Sequence, residues 1–150
     1  MPATSALLEA AHQRGLAKAL SYQGALLPRE AYEVRQATST AYIVDVRTQA
    51  EFNYVGRIPK SVEIEWQTYP GGVPNDAFLE QLQSQVEKDA LVMFICRSGV
   101  RSHAAAQAAA AAGYRNVYNV LEGFQGDADA NGHRDSVGGW RFAGLPWYQS

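Results

Sequence analysis

The chain contains one cysteine, Cys96, within the stretch Cys96-Arg97-Ser98-Gly99-Val100-Arg101-Ser102. An apolar run, Leu91 to Ile95, leads into it, and an alanine-rich segment, Ser102 to Ala112, leads out. A strand that ends in a cysteine and turns straight into a helix aims backbone N–H groups and the positive end of the helix dipole at the sulfur. That environment favours thiolate, the nucleophilic form, and Arg97 and Arg101 place two fixed positive charges beside it. Gly99 has no Cβ and can take φ > 0, so the turn can stay tight and present successive amides as a nest for an anion. The inert alternative is a small buried hydrophobe at a strand end. The arginines oppose it, because charged side chains are almost never buried unpaired. The spacing therefore predicts a nucleophile, Cys96, inside an anion-binding loop made by Arg97, Ser98, Gly99, Val100, Arg101 and Ser102.

A second group of residues lies upstream: Tyr42-Ile43-Val44-Asp45-Val46-Arg47, then Glu51-Phe52, then Val55-Gly56-Arg57-Ile58-Pro59. With the cysteine loop, this pair of motifs resembles the rhodanese-like sulfurtransferases in order and spacing, over roughly residues 28 to 125, a typical domain length. The resemblance implies a central parallel sheet of about five strands with helices on both faces. It also implies sulfur transfer through a persulfide on Cys96, with no metal or organic cofactor. The pattern Cys-Arg-x-Gly-x-Arg looks like the thiosulfate type, whereas the mercaptopyruvate type usually has glycine in place of Arg97. Phosphatases with a similar loop read C-x5-R to enclose a phosphate; here the loop is C-x4-R, one residue shorter. Loop length sets the size of the anion it can wrap, so the shorter loop speaks against phosphatase or arsenate reductase chemistry. A persulfide carrier or regulatory binding module of the same fold is the other alternative. The implied partners are a small anionic sulfur donor and a thiol or protein-thiol acceptor. Having no second cysteine, the chain cannot resolve a persulfide internally as a disulfide.

The totals agree with one enzyme-sized domain. At 150 residues and 47% apolar composition the chain can bury one proper core. Thirteen Lys and Arg against fifteen Asp and Glu give a net charge of −2, with no basic cluster outside the loop, which disfavours nucleic acid. One cysteine makes no internal disulfide and suits a reducing compartment, so a cytoplasmic protein is expected. The first residues lack a basic region followed by an apolar core of the kind a signal peptide needs. No apolar stretch of ~20 residues would span a membrane.

The elements that must position the loop follow from periodicity and punctuation. Residues 4 to 20 read as an amphipathic helix, with Leu7, Leu8, Ala11, Leu16 and Leu20 on one side and Gly15 weakening it. It either packs on the domain or docks a partner. Pro28 opens a second helix ending before Thr38, and Tyr42 to Val46 is a buried central strand. Thr48 and Glu51 form a capping box for a short helix. Ser61 to Ile64 reads as a strand and Tyr69 to Pro74 as loop. A helix capped by Asn75 or Asp76 carries Phe78, Leu79, Leu82 and Val86. Leu91 to Ile95 is the strand into Cys96, Gly113 ends the alanine-rich helix, and Asn116 to Val120 is the last strand. Alternating strands and helices imply a parallel α/β sheet with the cysteine loop at the C-terminal ends of its strands. Three segments are expected: an N-terminal helical extension over 1–27, the rhodanese-like domain over 28–125, and a loop-rich extension over 126–150 packed on it.

Other candidate groups read as structural. Asp45 and Arg47 end a buried strand, where a charged pair must find partners, so they are expected to support the scaffold. By the resemblance they lie close to the loop, and Glu51 pairs with an arginine there. Asp127 to Gly132 matches the first half of a calcium loop but has Gly138 where the bidentate glutamate belongs, so an Asx-rich turn is the simpler reading. His12, His103 and His133 share no metal-ligand spacing, and only His103 stands near the loop. The tail Val137 to Trp147 is read as an ordered terminus whose aromatics cover apolar surface, with Trp140 or Arg141 at the substrate mouth as the alternative.

Overall fold

The apolar and β-branched runs pair as parallel strands, since both faces of each are covered and neither can alternate with solvent. The computed structural model describes residues 2–149, and among these the elements run α1 (Pro2–Ala17), β1 (Gly24–Leu26), α2 (Pro28–Ala37), β2 (Ala41–Asp45), α3 (Gln49–Tyr54), β3 (Val62–Glu63), β4 (Gln67–Thr68), β5 (Val73–Pro74), α4 (Phe78–Gln85), β6 (Leu91–Ile95), α5 (Val100–Ala111) and β7 (Asn116–Val120). The central sheet has the order β1-β7-β6-β2-β3 and every pair in it is parallel. Asp45 at the end of β2 therefore stands beside Ile95 at the end of β6, and Phe94 beside Asn119 on β7. The cysteine loop leaves from this edge, directly after β6.

Alternation along the strands divides the core into two layers. Val44, Val92, Phe94, Cys96 and Val117 face α4 and α5, where Phe78, Leu82, Ala105, Ala106 and Ala109 are buried against them. Ile43, Met93, Ile95, Tyr118 and Val120 face α1, α2 and the C-terminal tail, meeting Ala11, Ala31, Val34, Phe124 and Trp140. The alanines of α5 let that helix sit close to the strand that delivers Cys96.

Several expectations are corrected. Gly24–Leu26, which carries no β-branched residue to announce a strand, is the edge strand β1, paired with Tyr118 to Val120. Residues 1–27 thus contribute a strand to the sheet as well as a helix. α1 ends at Ala17, short of Leu20, and Leu16 is 60% exposed rather than on the packed side. The helix lies close on β1: a Cβ on Gly24 would come within 2.4 Å of the Ala11 carbonyl oxygen. Arg14 fastens it further, donating to both carboxylate oxygens of Glu30 and to the Ala25 carbonyl. Within the Tyr69 to Pro74 loop, Val73–Pro74 pairs antiparallel with Gln67–Thr68 as a small hairpin. The N-cap of α4 is Ala77, not Asn75 or Asp76, and Asn75 instead accepts from the Ala77 N–H in the turn before it. The Ser61 to Ile64 strand shortens to β3, and α5 begins at Val100, two residues ahead of Ser102. Met1 and Ser150, the outermost residues of the two terminal segments, lie outside the described residues.

No helix among the described residues is long and apolar enough to cross a membrane.

Candidate active site

Cys96 follows β6 directly, and Gly99, at φ 110°, is the N-cap of α5. The sulfur is therefore held just before the N-terminus of a twelve-residue helix, whose first N–H groups have no intrahelical acceptor. The Gly99 N–H donates to Cys96 Sγ at 3.1 Å, and Ser102 Oγ lies 3.3 Å from the same sulfur. Cys96 is buried, with 1% of its surface exposed.

The loop is clamped from beneath by residues 121–126. Phe124 N–H donates to the Cys96 carbonyl at 2.8 Å, and the Gln125 and Gly126 N–H groups both donate to the Arg97 carbonyl. Gly123, at φ 65°, lets this segment come close: a Cβ there would stand 2.5 Å from the Cys96 carbonyl oxygen.

On the open side, Arg97 and Arg101 border a cleft of about 460 Å³ with Thr48, Glu51, Tyr54 and Tyr69 among its walls. The two arginines differ. Arg97 is exposed and forms no ion pair among the described residues, while Arg101 donates to both carboxylate oxygens of Glu51 at 2.7 and 3.0 Å. Glu51 also completes the capping box of α3, accepting from the N–H and the hydroxyl of Thr48, both at 3.0 Å. Burial alone would raise the Glu51 carboxyl, but the Arg101 and Thr48 hydrogen bonds outweigh it and hold it down at about 2. Burial works against the charge on Arg101 as well, and the bonds to Glu51 raise it regardless. One carboxylate thus ties α3, the capping turn and the cysteine loop together.

The predicted loop residues divide by side. Arg97 and Arg101 reach the cleft; Val100 is 77% exposed on the outer surface; Ser98 and Gly99 are half-buried in the turn. Ser102 is fully buried beside the sulfur and, like Cys96 itself, is not part of the cleft wall, so its hydroxyl supports Cys96 rather than presenting a surface to the cleft. Asp45 and Arg47 form a buried ion pair, both side chains 0% exposed, with Arg47 also donating to the Gly56 carbonyl and stacking 4.1 Å over the Phe124 ring. Through Phe124 the pair braces the segment that holds Cys96.

Trp140 and Arg141 do not reach the cleft. Trp140 is 1% exposed and donates to the Pro146 carbonyl, and Arg141 pairs with Asp135 and lies over Phe124 and Trp147. The Asp129 carboxylate accepts from Asn131 N–H, His133 N–H and Ser136 Oγ, an Asx-type turn. Among the described residues no group of three His, Cys, Asp or Glu could hold a metal ion. His12 meets the Gln23 carbonyl, and His103 meets the Tyr22 hydroxyl at 2.6 Å. Sequence reasoning missed Asn119, whose amide accepts from Ser102 at 2.6 Å. The available signal was a polar residue inside the apolar strand Val117 to Val120.

A model of the rhodanese-like domain matches residues 27–130. This chain belongs to the rhodanese-like domain family. Its five-stranded parallel sheet and its cysteine loop after β6 are the family's fold as the resemblance implied it. The crystal structure of Rv0390 from M. tuberculosis superposes with a TM-score of 0.77 at 42% identity, over 86% of this chain and 99% of that one. An uncharacterized protein of Rickettsia conorii, RC0915, is 35% identical over 79% of this chain and 91% of its own length. Thiosulfate sulfurtransferase GlpE of Actinobacillus succinogenes is 29% identical over 81% of this chain and 86% of its own.

Proposed function

We propose that this rhodanese-like protein is a sulfurtransferase that carries sulfane sulfur from thiosulfate, or a related small anionic donor, through a persulfide on Cys96 to a thiol acceptor. The observation that carries the reading is the placement of Cys96 Sγ at the N-terminus of α5 with the Gly99 N–H aimed at it. Cys96 thiolate attacks the outer sulfur of thiosulfate. A new S–S bond forms, the donor's own S–S bond breaks, and sulfite leaves with the electron pair. Arg97 takes the larger share in stabilising the departing sulfite, because Arg101 is already paired with Glu51. An acceptor then attacks the terminal sulfur and the pair of the Cys96–S bond returns to Sγ. Cyanide serves in the test tube, a small or protein thiol in the cell. The lone cysteine makes that acceptor external and fits a reducing cytoplasm.

A cleft of about 460 Å³ falls in the range of about 300–1,000 Å³ that holds organic ligands. With Tyr54 81% and Tyr69 72% exposed at its walls, it favours an acceptor larger than an inorganic ion. The same tyrosines favour, as a second reading, a persulfide carrier that docks on another protein.

The test is the intact mass after incubation with thiosulfate. A gain of one sulfur atom, ~32 Da, that cyanide removes and Cys96→Ser lacks is the expected result. A folded, reduced protein that takes up no sulfur would remove thiosulfate as the donor. A stable adduct that only a protein thiol discharges would select the carrier.

A further inference from the structure

Around the buried Cys96 sulfur, polar groups close a ring inside the apolar layer under α5. Gly99 N–H donates to Cys96 Sγ at 3.1 Å, and Sγ lies 3.3 Å from Ser102 Oγ. Ser102 Oγ donates to Asn119 Oδ1 at 2.6 Å, and Asn119 Nδ2 donates to the Gly99 carbonyl at 3.3 Å. Ser102 and Asn119 are 0% and 4% exposed, so bulk water does not complete the ring.

The donors can be counted. The Gly99 carbonyl can only accept, which fixes the NH₂ of Asn119 on that side and turns Oδ1 toward Ser102. A serine hydroxyl has one hydrogen, and in this arrangement it is given to Asn119. The Ser102 oxygen then presents a lone pair to Cys96, which matches a protonated thiol. Toward a thiolate the same lone pair faces negative charge. For the sulfur anion to receive a hydrogen bond from Ser102, the hydroxyl must turn away from Asn119. Asn119 Oδ1 is then left unpaired in the core unless another donor covers it.

We propose that Asn119 is a positioning residue that competes with Cys96 for the single hydroxyl hydrogen of Ser102. The proposal rests on the reading of Cys96 as the nucleophile. In one setting Ser102 donates to Asn119 and the Cys96 thiol to Ser102. In the other Ser102 donates to the sulfur anion, at the expense of its bond to Asn119. The change rotates the Ser102 hydroxyl and transfers no proton along the ring. The second setting serves both chemical steps, because Sγ is an anion before it attacks the donor and again when the acceptor breaks the Cys96–S bond and leaves its electron pair on Sγ.

The test is the rate of Cys96 alkylation by iodoacetamide at one neutral pH, measured on folded protein for Asn119→Leu, Asn119→Ala and each of these combined with Ser102→Ala. Leucine at 119 offers Ser102 no acceptor, so its hydroxyl hydrogen goes to the sulfur and alkylation rises about 3- to 10-fold. Alanine at 119 also removes the acceptor, and alkylation rises in the same direction. In the Ser102→Ala background both differences collapse. A merely structural role for Asn119 would slow alkylation or leave it indifferent to Ser102. An Asn119→Leu protein that reacts more slowly than wild type, or effects that survive Ser102→Ala, would overturn the proposal. Asn119→Ala keeps it falsifiable if the leucine variant does not fold. Alkylation does not depend on the identity of the sulfur donor, so failure here is distinct from failure of the thiosulfate assignment.

Discussion

Glu51 shows how much one side chain can hold. Its carboxylate accepts from Thr48 to cap α3 and from Arg101 to fix the far end of the cysteine loop. A carboxyl held at about 2 in the folded protein, against an ordinary 4.5, favours folding at any pH above the ordinary value. That stabilisation is lost as pH falls from 4.5 through about 2. The shift corresponds to stabilisation on the order of 3 kcal/mol. Glu51→Gln should therefore lower stability at neutral pH and flatten the acid side of the profile, which urea unfolding between pH 7 and pH 2 would read. The same change leaves Arg101 without its carboxylate partner beside the cleft. Binding of a small anion should tighten or spread to larger anions as a result, a direction opposite to that expected of a residue serving stability alone.

The 121–126 segment acts as an element even though it has no regular secondary structure. Its N–H groups meet the Cys96 and Arg97 carbonyls, and the backbone of Gly123 touches the loop with no room for a side chain. Gly123→Ala places a Cβ into the Cys96 carbonyl at a backbone angle that alanine rarely adopts. The loop must move, and misplacement by about 1 Å can cost on the order of 10²-fold in rate. Persulfide formation should fall by about that factor in Gly123→Ala while far-UV circular dichroism stays that of the wild type. A full rate in that variant would show that the loop keeps its shape without this clamp.

At the scale of the whole molecule, the tail beyond β7 completes one of the two core layers. Trp140 is almost wholly buried against Tyr32 and the strand face, and Arg141 joins Asp135, Phe124, Trp147 and the Val55 carbonyl. The chain closes back on Arg57 through a bridge to Tyr148. Trp140→Ala should cost about 3–5 kcal/mol, read as a lower urea midpoint. The cleft lies elsewhere, so alkylation of Cys96 in the fraction that remains folded should keep its rate. Removing the tail is for the same reason expected to weaken the fold before it alters the chemistry.

The cysteine loop was legible in the sequence because its signals are local: an apolar strand, a cysteine, a glycine at the turn and a strong helix former follow one another within about twenty residues. The Thr48–Glu51 capping box was legible for the same reason, being a contact between residues three apart. The pairing of Glu51 with an arginine of the loop came only from the resemblance, since fifty residues separate it from Arg101 and no periodicity links them. β1 escaped because a three-residue strand of Gly-Ala-Leu is defined by its neighbour β7 and not by its own side chains. Which side of the loop each residue serves was decided by the tertiary structure alone. Ser102 stands next to Arg101 in sequence, yet α5 turns one toward the core and the other toward the cleft. Asn119 becomes a partner of the cysteine loop only because parallel pairing sets the end of β7 beside β6, bringing together groups that the chain itself holds far apart.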